Sequence, residues 1–339
     1  MLVIGHRGAS ALRPEHTLAA YRKAIEDGAD VIEPDLVATR DGHLVARHEN
    51  EISGTTDVAR VAGFADRRTT KTVDGVPVTG WFTEDFTLAE LKTLRARERI
   101  PELRPHNVSH DGLHGIPTLT EVVALARELS AVKGRVIGLY PETKHPSHFQ
   151  RIGLALEPRL IDELDADPFT ARSAAVWIQS FETANLRALR RRIGRDRPHW
   201  RIVQLLSDGA HQPRDFAESH DRRTYGDLME PAGLREIATY ADAIGPAKTS
   251  VLALDAQGRF LPASSLVRDA HAAGLQVHAY TFRPENAFLP APLRVQGGAD
   301  ACNPQGAVAE IRAYLTTGID GFFTDDPAIG RVAVDGWRS

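Results

Sequence analysis

Residues 31–48 read VIEPDLVATRDGHLVARH. Two apolar pieces lie on either side of Ala38-Thr39-Arg40-Asp41-Gly42-His43, too close in the chain for a parallel crossover, which needs about a dozen residues or more. Asp41-Gly42 is a tight-turn dipeptide. The stretch therefore reads as a strand, Val31–Leu36, that runs on into a β-hairpin whose return arm carries His48 back toward the strand end. This reading decides the fold, because it keeps the strand count at eight rather than nine.

Outward from this stretch, short apolar runs alternate with helical patterns. The runs are Leu2–Gly8, Val31–Leu36, Val136–Lys144, Ala175–Phe181, Ile202–Leu206, Ala241–Gly245, Val277–Phe282 and Gly321–Thr324. Between them, helical periodicity covers Leu18–Asp27, Leu119–Ser130, His148–Leu164, Ala184–Ile193, Leu234–Tyr240, Ser264–Ala273 and Val308–Thr317. Thr118 with Glu121 fits a capping box, and Gly28, Gly274 and Gly318 stand where helices end. Eight strands with helices between them predict an α/β (β/α)8 TIM barrel, one catalytic domain over 1–339. Residues 50–117 lack that rhythm and are rich in Gly, Thr, Asp, Arg and Pro. A βα loop of this length is usually functional, so it reads as an insertion over the barrel mouth, between the hairpin and the second helix. Residues 207–227 read as a second, smaller one.

Composition narrows the function. The 339 residues are 42% hydrophobic and 25% charged, with a formal net charge of −4 and both signs interspersed. Without a long basic stripe, nucleic acid is not an expected partner. Arg190-Arg191-Arg192 reads as a solvated helix end. The single cysteine, Cys302, excludes an intramolecular disulfide and a Cys-based zinc cluster. No apolar run approaches the roughly 18–20 residues that span a bilayer, so stable membrane insertion is not expected. The first strand begins at residue 2 with no signal peptide before it. The protein reads as soluble, cytoplasmic as it stands, or secreted or periplasmic if an export signal has been removed; oligomeric state stays open.

Barrel enzymes carry their chemistry at the C-terminal ends of the strands. Glu33 and Asp35, two apart on one strand, face the same way. Glu142 ends the adjacent strand. Three carboxylates pressed together repel unless a cation lies between them, and an all-oxygen set suits a hard divalent ion, Ca²⁺ ahead of Mg²⁺. His6 and His48 approach the same mouth from the first strand and the hairpin, placed as a general base and a general acid. Arg7 and Lys144 can neutralise phosphate charge. Gly5 and Gly8, flanking His6-Arg7, are expected to leave room for a phosphate.

The ordered blocks resemble the glycerophosphodiester phosphodiesterase family, in its longer, periplasmic or secreted branch. They are His6-Arg7-Gly8-Ala9, Pro14-Glu15-His16-Thr17, Glu33-Pro34-Asp35-Leu36, Thr39-Arg40-Asp41-Gly42, His48, Pro141-Glu142-Thr143-Lys144, Gln179-Ser180-Phe181, Tyr280-Thr281-Phe282-Arg283 and Thr324-Asp325-Asp326-Pro327. They run in order over nearly the whole chain. The resemblance implies a TIM barrel with one divalent metal on Glu33, Asp35 and Glu142, catalytic His6 and His48, and phosphate contacts from Arg7 and Lys144. It also implies Phe282 as an aromatic on the glycerol side. Glu49 stands where an Asp often follows the second His, and Gly54 where many members carry Arg. The implied reaction is hydrolysis of a glycerophosphodiester to glycerol 3-phosphate and an alcohol, by way of a cyclic 1,2-phosphate. The nearest alternative is a lysophospholipase D or sphingomyelinase-D-like enzyme of the same fold, whose acyl chain would need apolar ground near Phe64, Trp81, Phe82 and Phe86. A non-catalytic phosphodiester-binding barrel is a further one.

Overall fold

In a computed structural model that describes residues 1–337, the parallel strands close into a ring of eight. Leu2–His6 pairs with Val31–Glu33 on one side and Gly321–Thr324 on the other. The ring continues through Gly138–Leu139, Val176–Ser180, Trp200–Leu206, Ala243–Pro246 and Gln276–Phe282, which pairs with Gly321–Thr324 to complete it. Prolines cannot donate to a ladder. Pro34 accordingly divides the second strand into Val31–Glu33 and Asp35–Ala38, and Pro141 lies in the break of the third, between Gly138–Leu139 and Glu142–Thr143. Both strands keep their direction past the break, which places Asp35 opposite Glu142 and Glu142 opposite Gln179. The hairpin forms as expected, with Leu36 to Ala38 antiparallel to Leu44 to Ala46 and Gly42 at φ +80° in the turn.

Each expected helical stretch forms a helix, with differences, among them short extra helices at Pro168–Arg172, Arg214–Glu218, Tyr225–Met229 and Lys248–Val251. Thr118 and Glu121 form the capping box of Leu119–Lys133, and Gly28, Gly274 and Gly318 take positive φ at helix ends. The stretch expected as one helix over His148–Leu164 is two, Pro146–Arg151 and Leu156–Ala166, with Gly153 at φ +77° between them. An eighth helix, Pro327–Asp335, was not expected. Its start is written in Asp326-Pro327: the Asp326 side chain accepts from the Ile329 N–H and Pro327 takes the first helical turn, where no N–H is needed. Arg190 of the basic run is only partly solvated, since it is ion-paired with Asp242.

The glycines around His6-Arg7 correct one expectation. A Cβ on Gly8, at φ +89°, would lie 2.6 Å from the Ala20 carbonyl carbon, and one on Gly5 would lie 2.9 Å from the Ala24 Cβ. Both glycines let the first helix, Leu18–Glu26, close onto the strand end; they do not hold space open for a phosphate. Gly8→Ala should lower stability by about 2–4 kcal/mol, because the left-handed φ and the rigid backbone clash add. A urea midpoint equal to wild type would contradict this.

Inside the ring, Tyr140, Trp177 and Phe323 fill the barrel with Ile4, Val31, Val203 and Ala243. His278 lies among them, fully buried, sharing a 2.7 Å hydrogen bond with Tyr140 through Nδ1 while Nε2 has no partner. Burial lowers its pKa to about 4. The unfolded chain therefore takes up this proton at higher pH than the fold does, and stability falls as pH drops from about 6.5 toward 4. Between pH 7 and pH 5 the expected loss is about 2 kcal/mol. His278→Asn should show a smaller loss over the same range, read as urea midpoints at both pH values; equal losses in the two proteins would refute it.

Residues 50–117 contain short 3-10 turns, the antiparallel pair Thr69–Val73 and Val76–Gly80, and a short helix, Leu88–Leu91. Phe82 and Phe86 are fully buried, Trp81 nearly so, and Phe64 packs edge-on against Phe86. Trp81 and Phe86 join the main core and Phe82 is withdrawn from solvent, so only Phe64, half-buried, keeps apolar surface among the four.

Candidate active site

The C-terminal ends of the strands enclose a cavity of ≈ 300 Å³ whose wall includes His6, Arg7, Glu33, Asp35, His48 and Glu142. Carboxylate oxygens of Glu33, Asp35 and Glu142 lie within 4.8 Å of one another. Each is buried. Glu33 accepts from the Arg7 backbone N–H at 2.7 Å, which Arg7 presents from a left-handed φ of +56°, and from Gln179 Nε2 at 3.1 Å. Asp35 Oδ2 accepts from His16 Nε2 at 2.8 Å, and His16 Nδ1 meets the Tyr21 hydroxyl. Asp35 Oδ1 is buried with no partner.

The electrostatics of this trio are those of a site built for a cation. Burial and the Asp35 charge push Glu33 well above the carboxylate range. Burial also raises Glu142 to about 8, against the pull of Lys144. Asp35 is held well below its ordinary value despite burial, by Lys144 and the His16 hydrogen bond. Three buried oxygen donors within 4.8 Å of one another, one of them the orphaned Asp35 Oδ1, with Lys144 as the one ammonium beside them, fit a hard divalent ion.

Each histidine is oriented by a carboxylate. His6 Nδ1 donates to Asp325 Oδ1 at 2.6 Å. His48 Nδ1 donates to Glu49. Each ring is thereby held in one tautomer with Nε2 free for chemistry. Desolvation and the Arg7 charge lower His6 to about 4; desolvation with Arg7 and Lys144 lowers His48 to about 3. The two orienting carboxylates are in turn clamped by arginines of the inserted segment. Arg104 meets Asp325 at 2.5 Å and Glu285 at 2.6 Å. Arg99 meets Glu49 at 2.6 Å and Glu15 at 2.7 Å, and Glu15 also accepts from Arg7 at 3.1 Å. Arg283 adds a bond to Asp325 at 2.9 Å.

The structure thus brings His6, His48, Arg7, Glu33, Asp35 and Glu142 to one cavity. Lys144 stands at its edge, with Nζ 2.8 Å from Glu142 Oε1. Phe282 is not there. Strand alternation from His278 and Tyr280 would turn it inward, but the pairing shifts register between Ala279 and Phe282. The shift reverses the parity, so Tyr280 and Thr281 line the cavity while Phe282 packs outward on Tyr314 and Phe322. Phe181 and Phe323 supply the other aromatic wall. Sequence reasoning assigned no role to Asp325, Glu49, Arg99, Arg104, His16 or Gln179. Asp325 was within reach of it, since the last strand of a closed barrel must lie beside the first. Arg99 and Arg104 carry no local signal.

Comparison with known proteins adds the family context. Residues 6–329 match the model of the glycerophosphoryl diester phosphodiesterase family. Glycerophosphodiester phosphodiesterase GDPD6 of Arabidopsis thaliana is 33% identical over 335 residues, 95% of this chain and 82% of that protein. Glycerophosphodiester phosphodiesterase of Haemophilus influenzae is 25% identical over 300 residues, 84% of this chain and 79% of its own. Among solved structures, an Oleispira antarctica phosphodiesterase in complex with the product sn-glycerol-3-phosphate shares the fold. It superposes with a TM-score of 0.58 at 19% identity, covering 99% of this chain and 97% of its own.

Proposed function

The chain belongs to the glycerophosphoryl diester phosphodiesterase family, and from that premise we propose that its mouth hydrolyses glycerophosphodiesters to glycerol 3-phosphate and an alcohol by two-histidine acid–base catalysis. The observation that carries this reading is the convergence of two carboxylate-oriented imidazoles, one buried carboxylate trio and Arg7 on a single cavity. The product bound to the Oleispira antarctica protein supports the same substrate class.

Glu33, Asp35 and Glu142 would hold one divalent cation. When bound, it would polarise a phosphoryl oxygen and lower the pKa of the glycerol 2-hydroxyl. Arg7 and Lys144 stabilise charge on the phosphoryl oxygens. One histidine takes the proton of the 2-hydroxyl as that oxygen bonds to phosphorus. The other enters the step as imidazolium, the anionic phosphate offsetting the Arg7 charge that adds to desolvation in lowering both rings in its absence. It gives a proton to the alcohol oxygen as its P–O bond breaks. Water then opens the cyclic 1,2-phosphate, losing its proton to the second histidine while the first returns one to the 2-oxygen. Because Asp325 and Glu49 fix Nδ1 of each ring, the protons move at Nε2.

A glycerophosphocholine analogue lacking the 2-hydroxyl tests the route. It should release no choline while the parent ester releases glycerol 3-phosphate. Equal hydrolysis of the two would exclude the cyclic intermediate and leave direct attack by water.

A further inference from the structure

The two histidines are held with unequal redundancy. The Asp325 side chain, which orients His6, is 3% exposed and is bonded to both Arg104 and Arg283. The Glu49 side chain, which orients His48, is 35% exposed, and among the described residues its one other side-chain partner is Arg99. We propose that Arg99 is the positioning residue for His48, acting on the reaction through Glu49 while Glu15 anchors it. The inference rests on the hydrolytic reading above.

Arg99 grips both carboxylates in forks. Its Nη1 and Nη2 donate to the two Glu49 oxygens at 3.0 and 2.6 Å. Its Nε and Nη2 donate to the two Glu15 oxygens at 2.8 and 2.7 Å. Adjacent edges of one planar guanidinium make the two forks, which an ammonium cannot do. Glu15 is buried and also accepts from Arg7. An ion pair open to water orders its partners weakly. The Arg99–Glu49 pair is stiffer than that because the same guanidinium is fixed on buried Glu15. A fixed Glu49 then fixes the His48 ring at Nδ1.

The backbone presents Arg99 in one place although its segment has no periodicity. The Arg97 N–H donates to the Thr55 carbonyl at 2.9 Å and the Glu98 N–H to Asp111 Oδ1 at 2.7 Å. On the other side of Arg99, the Ile100 N–H donates to Glu98 Oε1 at 3.0 Å. Glu98 is itself buried and accepts from Asn107 Nδ2 at 2.8 Å. Arg99 is not part of the catalytic cavity wall, so its effect reaches the phosphate only through the groups it holds. Its removal strands no buried charge: Glu15 keeps Arg7, and Glu49 has access to water.

The test is a double-variant cycle on kcat for glycerol 3-phosphate release from glycerophosphocholine. Arg99→Ala should lower kcat about 10²-fold, the cost of a misplacement near 1 Å, with KM changed little because Arg7 keeps Glu15. In a His48→Ala background the same substitution should cost about twofold or less, because the ring it positions is gone. A purely structural defect would cost the same factor in both backgrounds. That result, or wild-type kcat in folded Arg99→Ala, overturns the proposal while the hydrolytic reading stands. No product from wild type overturns both. Should Arg99→Ala fail to fold, Arg99→Lys, which keeps the charge and loses the forks, decides in the same cycle. Should the His48→Ala background fall below detection, rescue decides: guanidinium ion must restore turnover to the Arg99 variant and ammonium ion must not. No rescue, or equal rescue by both ions, refutes the proposal.

Discussion

Alanine at His6 or at His48 yields a folded barrel that releases glycerol 3-phosphate roughly 10²–10⁴-fold more slowly, the usual worth of a positioned acid or base. Catalysis is lost here without loss of stability. Removing the His6 ring leaves Asp325 still bonded to Arg104 and Arg283, so no buried charge is stranded. Removing the His48 ring leaves Glu49 with Arg99, and the His48 side chain is already 29% exposed. The double variant should be little worse than the single ones, because proton removal and proton delivery serve one displacement. Thermal midpoints near wild type with turnover collapsed are the expected pair of results. Near-normal turnover in either folded variant would remove that histidine from the mechanism.

The second large effect concerns the carboxylate trio. Chelation should abolish turnover, and restoring Ca²⁺ or Mg²⁺ should return it. The same ions should raise the thermal midpoint of wild type, since a ligand that binds only the fold stabilises it by about 2.7 kcal/mol at a hundredfold excess over its dissociation constant. Asp35→Asn should lose both responses, because the orphaned Oδ1 belongs to that side chain. Glu33 and Glu142, pushed upward by burial and by Asp35, should no longer bind the ion tightly with only two anionic donors left. A variant whose midpoint still rises with calcium would place the cation elsewhere.

Much of this site is local in the chain, and that is why it can be read there. Glu33 and Asp35 share a face by strand alternation, and Asp41-Gly42 compels the turn that returns His48. Glu142 falls beside Asp35 because neighbouring strands of a barrel end together. What sequence reasoning missed depends on closure or on irregularity. Asp325 reaches His6 only because the eighth strand meets the first. Phe282 turns outward because one register shift reverses the alternation on which its expected role relied. Gly8 is explained by a helix packed against it, not by a ligand. Arg99 and Arg104 come from a segment with no periodicity, and their purpose shows only when the two carboxylates they clamp are seen to hold the two histidines.

The inserted segment delivers one arginine to each histidine–carboxylate pair. On the mechanism proposed above, the chemistry of the barrel would then depend on a segment outside the barrel rhythm.

The most direct measurement is glycerol 3-phosphate release from a panel of glycerophosphodiesters, run with chelator and then with calcium or magnesium restored. The account predicts no product with chelator and stoichiometric glycerol 3-phosphate and alcohol once the cation returns. Absence of glycerol 3-phosphate from every ester under both conditions would contradict it.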